Sequence, residues 1–142
     1  MATRKVKTHT TSSGELADLR AVVNRDLADA TIAELSTDRR FATAYNAVLQ
    51  IAKMVVACAG YRVSGQGHHL TTFAAVELAM GPEVAGLVAY FDTCRRKRNL
   101  LDYNMANVTS DTEAAELLKE ARNFQLRAEA WIALTYPKFN VS

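Results

Sequence analysis

The residues best suited to chemistry in this sequence crowd into one short stretch, Arg95 to Tyr103 (RRKRNLLDY). The cations Arg95, Arg96, Lys97 and Arg98 run together and are followed by Asn99, Asp102 and Tyr103. On a helix, steps of four and three from Phe91 lead to Arg95, Arg98 and Asp102, continuing the side that Phe91 presents to a core. Amphipathic helices normally turn charge away from that side. Arg96 and Lys97 fall elsewhere on the circumference and read as solvated. One explanation is structural: Arg98 and Asp102 form an i,i+4 pair worth about 0.2–0.5 kcal/mol, near a helix end where cations also suit the macrodipole. The other is an anion site, because guanidinium groups offer planar bidentate donors to phosphate. The residues alone leave both open.

His68 and His69 are the next candidates, at the exit of a glycine-rich turn, Tyr61–Gly67 (YRVSGQG). Imidazole can move protons near neutral pH, although adjacent histidines more often cap or pack a turn. Whether either one approaches Arg98 depends on packing that spacing does not fix. No set of Cys, His and acidic residues has metal-ligand spacing, so neither a metal nor another cofactor is expected. Gly60, Gly65 and Gly67 read as loop residues with no strand before them and no Lys-Ser/Thr after them, which does not make a phosphate-binding loop. Cys58 and Cys94 sit in apolar helical patterns and read as small core residues in a reducing compartment. Arg39 and Arg40, in the first turn of a helix, read as solvated surface.

The elements that must position these residues are helical. Residues 1–11 carry Thr and the cations Arg4, Lys5 and Lys7 with little apolar anchorage, and read as a flexible basic tail. Residues 12–142 then form one domain. Ser12 with Glu15 suggests a capping box opening a first helix, whose stripe is Leu16, Leu19, Val23 and Leu27. Ser36 caps a second, with Phe41, Tyr45, Val48, Ala52, Val55 and Ala59 along one side until Gly60 ends it. A short third helix carries Phe73, Val76 and Met80. Gly81-Pro82 separates it from the fourth, whose apolar face is Val84, Leu87, Val88 and Phe91 and which runs into the basic stretch. Ser110 with Glu113 opens the last helix, with Ala114, Leu117, Ala121, Phe124, Ala128 and Trp131 as its stripe and Pro137 as its stop. The expected fold is all-α, an up-and-down antiparallel bundle of about five helices.

The segment from Tyr90 to Tyr103 (YFDTCRRKRNLLDY) resembles the late-helix motif of HEPN domain proteins. The order around it is similar as well: a long second helix, the YRVSGQGHH turn, a short helix, the motif helix and a long final helix, together spanning roughly residues 15–136. The resemblance implies a small prokaryotic bundle, often a homodimer, of the kind found in toxin–antitoxin, defence and RNA-processing systems. Many HEPN proteins are metal-independent endoribonucleases. Their pattern is an Arg, commonly followed by a polar residue, with a His further along the helix. Arg98 and Asn99 match the first two positions, while Tyr103 stands where the His is expected.

By this resemblance Arg98 and Tyr103 take the catalytic positions, and Arg95, Arg98, Asn99 and Asp102 line a groove for RNA or nucleotide phosphate. Tyr titrates near about 10 and is a weak general base, though it can donate a hydrogen bond or stack on a base. The alternative is a non-catalytic module that pairs with an antitoxin or a nucleotidyltransferase.

Composition is consistent with these readings. Of 142 residues, 49% are hydrophobic and 23% charged, which excludes global disorder, and the net charge of +2 is too small to mark a general polyanion binder. No apolar run in the sequence approaches the ~20 residues that a membrane span needs, so a cytoplasmic protein is expected.

Overall fold

The computed structural model describes residues 5–65, 67–101 and 106–140. Among them are five α-helices: α1 (Ser13–Asp29), α2 (Thr37–Cys58), α3 (His68–Met80), α4 (Ala85–Leu101) and α5 (Asp111–Thr135). Short 3-10 turns at Pro82–Val84 and Pro137–Phe139 precede α4 and follow α5. The fold is a mostly α-helical bundle, as the periodicity indicated.

Serine caps set three of the helix starts. Ser12 Oγ accepts from the Glu15 amide at 3.1 Å and Ser36 Oγ from the Arg39 amide at 3.2 Å. At α5 the capping box is complete: Ser110 Oγ accepts from the Glu113 amide, and the Glu113 carboxylate accepts from the Ser110 amide at 2.9 Å. The box expected at α1 is only half formed. The Glu15 carboxylate instead accepts from Thr11 Oγ1 at 2.6 Å and meets His9 Nε2 at 2.8 Å. Gly81 ends α3 at φ +101°, a backbone conformation that L side chains rarely adopt.

α2 is the axis of the bundle and touches α1, α3, α4 and α5. Sequence spacing suggested burial along one side. The structure buries Ala44, Ala47, Leu49, Ile51, Met54 and Val56 as well as Phe41, Tyr45, Val48, Ala52 and Val55. A helix apolar all round belongs in an interior. By length and composition α2 could also cross a membrane, contrary to the sequence expectation, but 72% of its most apolar window is buried inside the bundle.

An aromatic chain ties this axis to its neighbours. Tyr45 meets Phe73 of α3 edge-on at 6.2 Å between ring centroids. Phe73 meets Phe91 of α4 at 6.1 Å, and Phe91 meets Phe124 of α5 at 5.3 Å. These separations fall within the favourable range for aromatic pairs. On the opposite flank Arg20 of α1 forms a two-pronged pair with Glu129 of α5, at 2.7 and 2.8 Å, and donates to the Phe139 carbonyl at 2.7 Å. Cys58 and Cys94 are buried free thiols.

Two expectations are corrected at the N-terminal side. Lys5–Thr8, read as part of a loose tail, forms strand β1, and Tyr61–Ser64, read as loop, forms strand β2. They pair antiparallel with Val6 opposite Val63 and Lys7 opposite Arg62. The His9 amide extends the ladder to the Gly60 carbonyl at 2.8 Å. Pairing satisfies backbone groups that neither segment satisfies alone. A strand therefore does precede Gly65 and Gly67, although no Lys-Ser/Thr follows them.

Candidate functional site

α4 carries Phe91 and Cys94 into the core, so by its last turns the buried side has rotated toward Cys94. Arg95 and Arg98 consequently lie on the flank of the buried side, both partly buried, where they were expected to continue its centre. Arg95 Nε donates to Asp92 Oδ1 at 2.9 Å, and Arg96 Nη2 donates to Asp92 Oδ2 at 3.0 Å. One carboxylate thus serves two guanidinium groups, and Arg95 beside it holds Asp92 below the usual carboxylate range. Lys97, read as solvated, reaches across to Glu113 and links α4 to α5. That contact lowers the Glu113 pKa. Arg40, also read as solvated surface, reaches Asp111 Oδ1 at 2.8 Å.

The structure settles where the two candidate histidines go. His69, in the first turn of α3, shares a hydrogen bond of 3.1 Å between its Nδ1 and the Tyr45 hydroxyl. Burial pushes its pKa down to about 4, and the neighbouring His68 and the positive charges of Arg98, Lys53 and Arg95 act in the same direction. The imidazole is therefore neutral at physiological pH and sits in the field of the α4 cations. Tyr45 is almost wholly buried, and desolvation raises its pKa while Arg95 and Arg98 oppose that rise. The bond admits two tautomers: Tyr45 donates to Nδ1 and the imidazole proton is on Nε2, or Nδ1–H donates to the Tyr45 oxygen and Nε2 is an acceptor. His68 packs edge-on against His69 at 4.3 Å between ring centroids. Its Nδ1 donates to the Gly65 carbonyl at 3.1 Å, so it serves the turn as a capping histidine would.

His69 and Tyr45 are thus brought into contact from α3 and α2, and the charges of Arg95 and Arg98 on α4 reach both. Asn99 is partly buried near the end of α4. Asp102 and Tyr103 lie outside the described residues, as do Arg4 and Gln66. Sequence reasoning missed Tyr45 and Asp92. Tyr45 gave a faint signal, because a tyrosine on a buried stripe needs a partner for its hydroxyl. Asp92 gave another, since it precedes Arg95 and Arg96 by the spacings that pair charges on a helix.

The arrangement can hold an anion against two guanidinium groups and offer it a neutral imidazole. No protein-family model matches the chain, and no similar curated protein or solved structure was found.

Proposed function

We propose that this chain is a HEPN-type bundle that binds RNA or nucleotide phosphate on the α4 face, with Arg95 and Arg98 as phosphate contacts. The observation that supports this reading is the under-neutralised run on α4, where Arg95 and Arg96 share the single carboxylate of Asp92, on a helix packed against α3 with its His69 held by Tyr45. Such a patch attracts phosphate and supplies directional donors to it. Asn99 extends the donor set along the helix, and Asp102 and Tyr103 complete the motif in sequence. The protein works as a homodimer in a reducing cytoplasm, in a toxin-like, defence or RNA-processing role, and its buried thiols suit that compartment.

If the bundle cleaves RNA, it does so as a metal-independent endoribonuclease with His69 in place of the histidine that the motif lacks. In the tautomer whose Nδ1–H donates to the Tyr45 oxygen, Nε2 can accept a proton from a ribose hydroxyl while Arg98 stabilises charge on the phosphate. The same low basicity favours a second reading. An imidazole with a pKa of about 4 is a weak general base at neutral pH, which suits a binding module paired with an antitoxin or nucleotidyltransferase. Leu126 and Leu134, strongly exposed on α5, offer apolar contacts for such a partner.

The test is total tRNA incubated in EDTA with wild type, Arg98→Ala and His69→Asn, alongside filter binding of the same RNA. Arg98→Ala is expected to weaken RNA binding about tenfold. Cleavage by wild type, lost in both variants, establishes the ribonuclease. Binding without cleavage supports the RNA-binding module. RNA affinity unchanged in folded Arg98→Ala overturns the reading.

A further inference from the structure

A second constellation lies away from the α4 patch. The β1–β2 ribbon, α1, α2 and α3 enclose a cleft of about 450 Å³. Leu19, Val56 and Val63 give it an apolar floor, Gln50 and Ser64 give it neutral polar groups, and Lys53, Arg62 and His68 give it basic ones. We propose that this cleft is a binding site for a phosphate group, free or carried on a small organic ligand, with Lys53 and Arg62 as its principal contacts.

The charges in the cleft are not balanced from within. Lys53 is half-buried on α2 and makes no ion pair among the described residues. Its burial, and the nearness of Arg62, lower its pKa, as expected of an ammonium group with no anion beside it. The one carboxylate lining the cleft is Glu15; it is hydrogen-bonded by Thr11 and His9 and feels Arg62, which leaves Lys53 without a counter-charge. Arg62 has a second unfavourable neighbour, because the strand register sets it directly opposite Lys7. Like charges facing each other across a ribbon are destabilising. An anion seated between α2 and the ribbon would relieve both arrangements at once. His68 uses its Nδ1–H for the Gly65 carbonyl, so Nε2 of the neutral ring can accept from a hydroxyl of a monohydrogen phosphate or of an organic ligand. The volume falls within the range of small-molecule sites, and a floor of aliphatic side chains suits an organic body attached to the phosphate.

The inference stands apart from the RNA reading, since it uses neither Arg95 nor Arg98. Titration calorimetry of the full chain with inorganic phosphate, uridine 5′-monophosphate and neutral uridine tests it. Both anions are expected to bind and uridine to give no comparable affinity. Lys53→Met is expected to weaken anion binding about tenfold or more, while Lys119→Gln, which removes an exposed cation of α5 outside both sites, retains it. Arg62→Gln, on an exposed strand position, gives a parallel loss and carries the test if Lys53→Met fails to fold. Nucleotide binding tighter than phosphate identifies a carried phosphate seated on the apolar floor, and equal affinities identify free phosphate. No binding of either anion below about 10 mM overturns the proposal. So does a folded Lys53→Met or Arg62→Gln with undiminished affinity, or anion binding lost in Arg98→Ala and kept in both cleft variants.

Discussion

Two partly buried arginines, Arg20 and Arg95, sit on different flanks of the bundle and are treated in opposite ways. Arg20, with 16% of its side chain exposed, meets both oxygens of Glu129 and a backbone carbonyl. Arg95, with 22% exposed, has one bond to Asp92, and that carboxylate also serves Arg96. The first guanidinium group is neutralised by a partner of its own and clamps α1 to α5. The second shares its counter-charge and leaves its surroundings positive. Burial alone therefore does not tell a structural arginine from a ligand-facing one. The number of acceptors around it does.

The sharpest way to break this contrast is to remove each arginine in turn. Arg20→Ala leaves Glu129 uncompensated and is expected to lower stability by about 2–3 kcal/mol in urea unfolding, whereas Arg95→Ala should lower it by about 1 kcal/mol or less. Equal losses would erase the distinction. The next effect is pH dependence on the α4 side. His69 has a folded pKa of about 4, below the value near 6.5 of an unfolded imidazole. The unfolded chain takes that proton first, so this contribution is intact above about pH 6.5 and is lost as pH falls toward 4. Between pH 7 and pH 5 it should remove about 1–2 kcal/mol of stability. His69→Gln should flatten that slope, and an unchanged slope would mean that burial does not hold the imidazole neutral. Smallest is Asp92→Asn, which frees Arg95 and Arg96 from their shared carboxylate. Stability is expected to move by about 0.5 kcal/mol or less, while RNA affinity at low salt rises about threefold. A fall in affinity would mean that Asp92 positions the arginines and does not merely neutralise them.

Much of the fold could be read in the sequence because its punctuation is local. Ser12, Ser36 and Ser110 announce helix starts within a turn of themselves, and Gly81-Pro82 marks a break with two adjacent residues. The ribbon is different. Each strand has four residues, and β1 offers only Val6 as an apolar anchor, so no alternation could accumulate. Its partner lies beyond two complete helices, where no local rule reaches. The site divides in the same way. Arg95, Arg98 and Asn99 were visible as a run, but the meeting of His69 with Tyr45 depends on how α3 packs on α2. Tyr45 was hidden by its success as a core residue, with its ring buried in the stripe and only its hydroxyl carrying the polar role. Near the end of α4 the helical drift was underestimated, and Cys94 took the central position assigned to the arginines.

The ribbon also sets an order of events. β1 cannot meet β2 until the chain between them, which contains α1 and α2, has turned back on itself. Closing that long loop is an entropic cost met before any rung forms, while helix hydrogen bonds form locally and early. A two-stranded ribbon has little stability of its own and depends on the helices beneath it. The wall of the cleft at Arg62 and Val63 is therefore completed late in folding. By the same logic it opens early, as a local excursion that leaves the helical body closed. Amide exchange should record this as faster loss of protection at Val6 and Val63 than along α2.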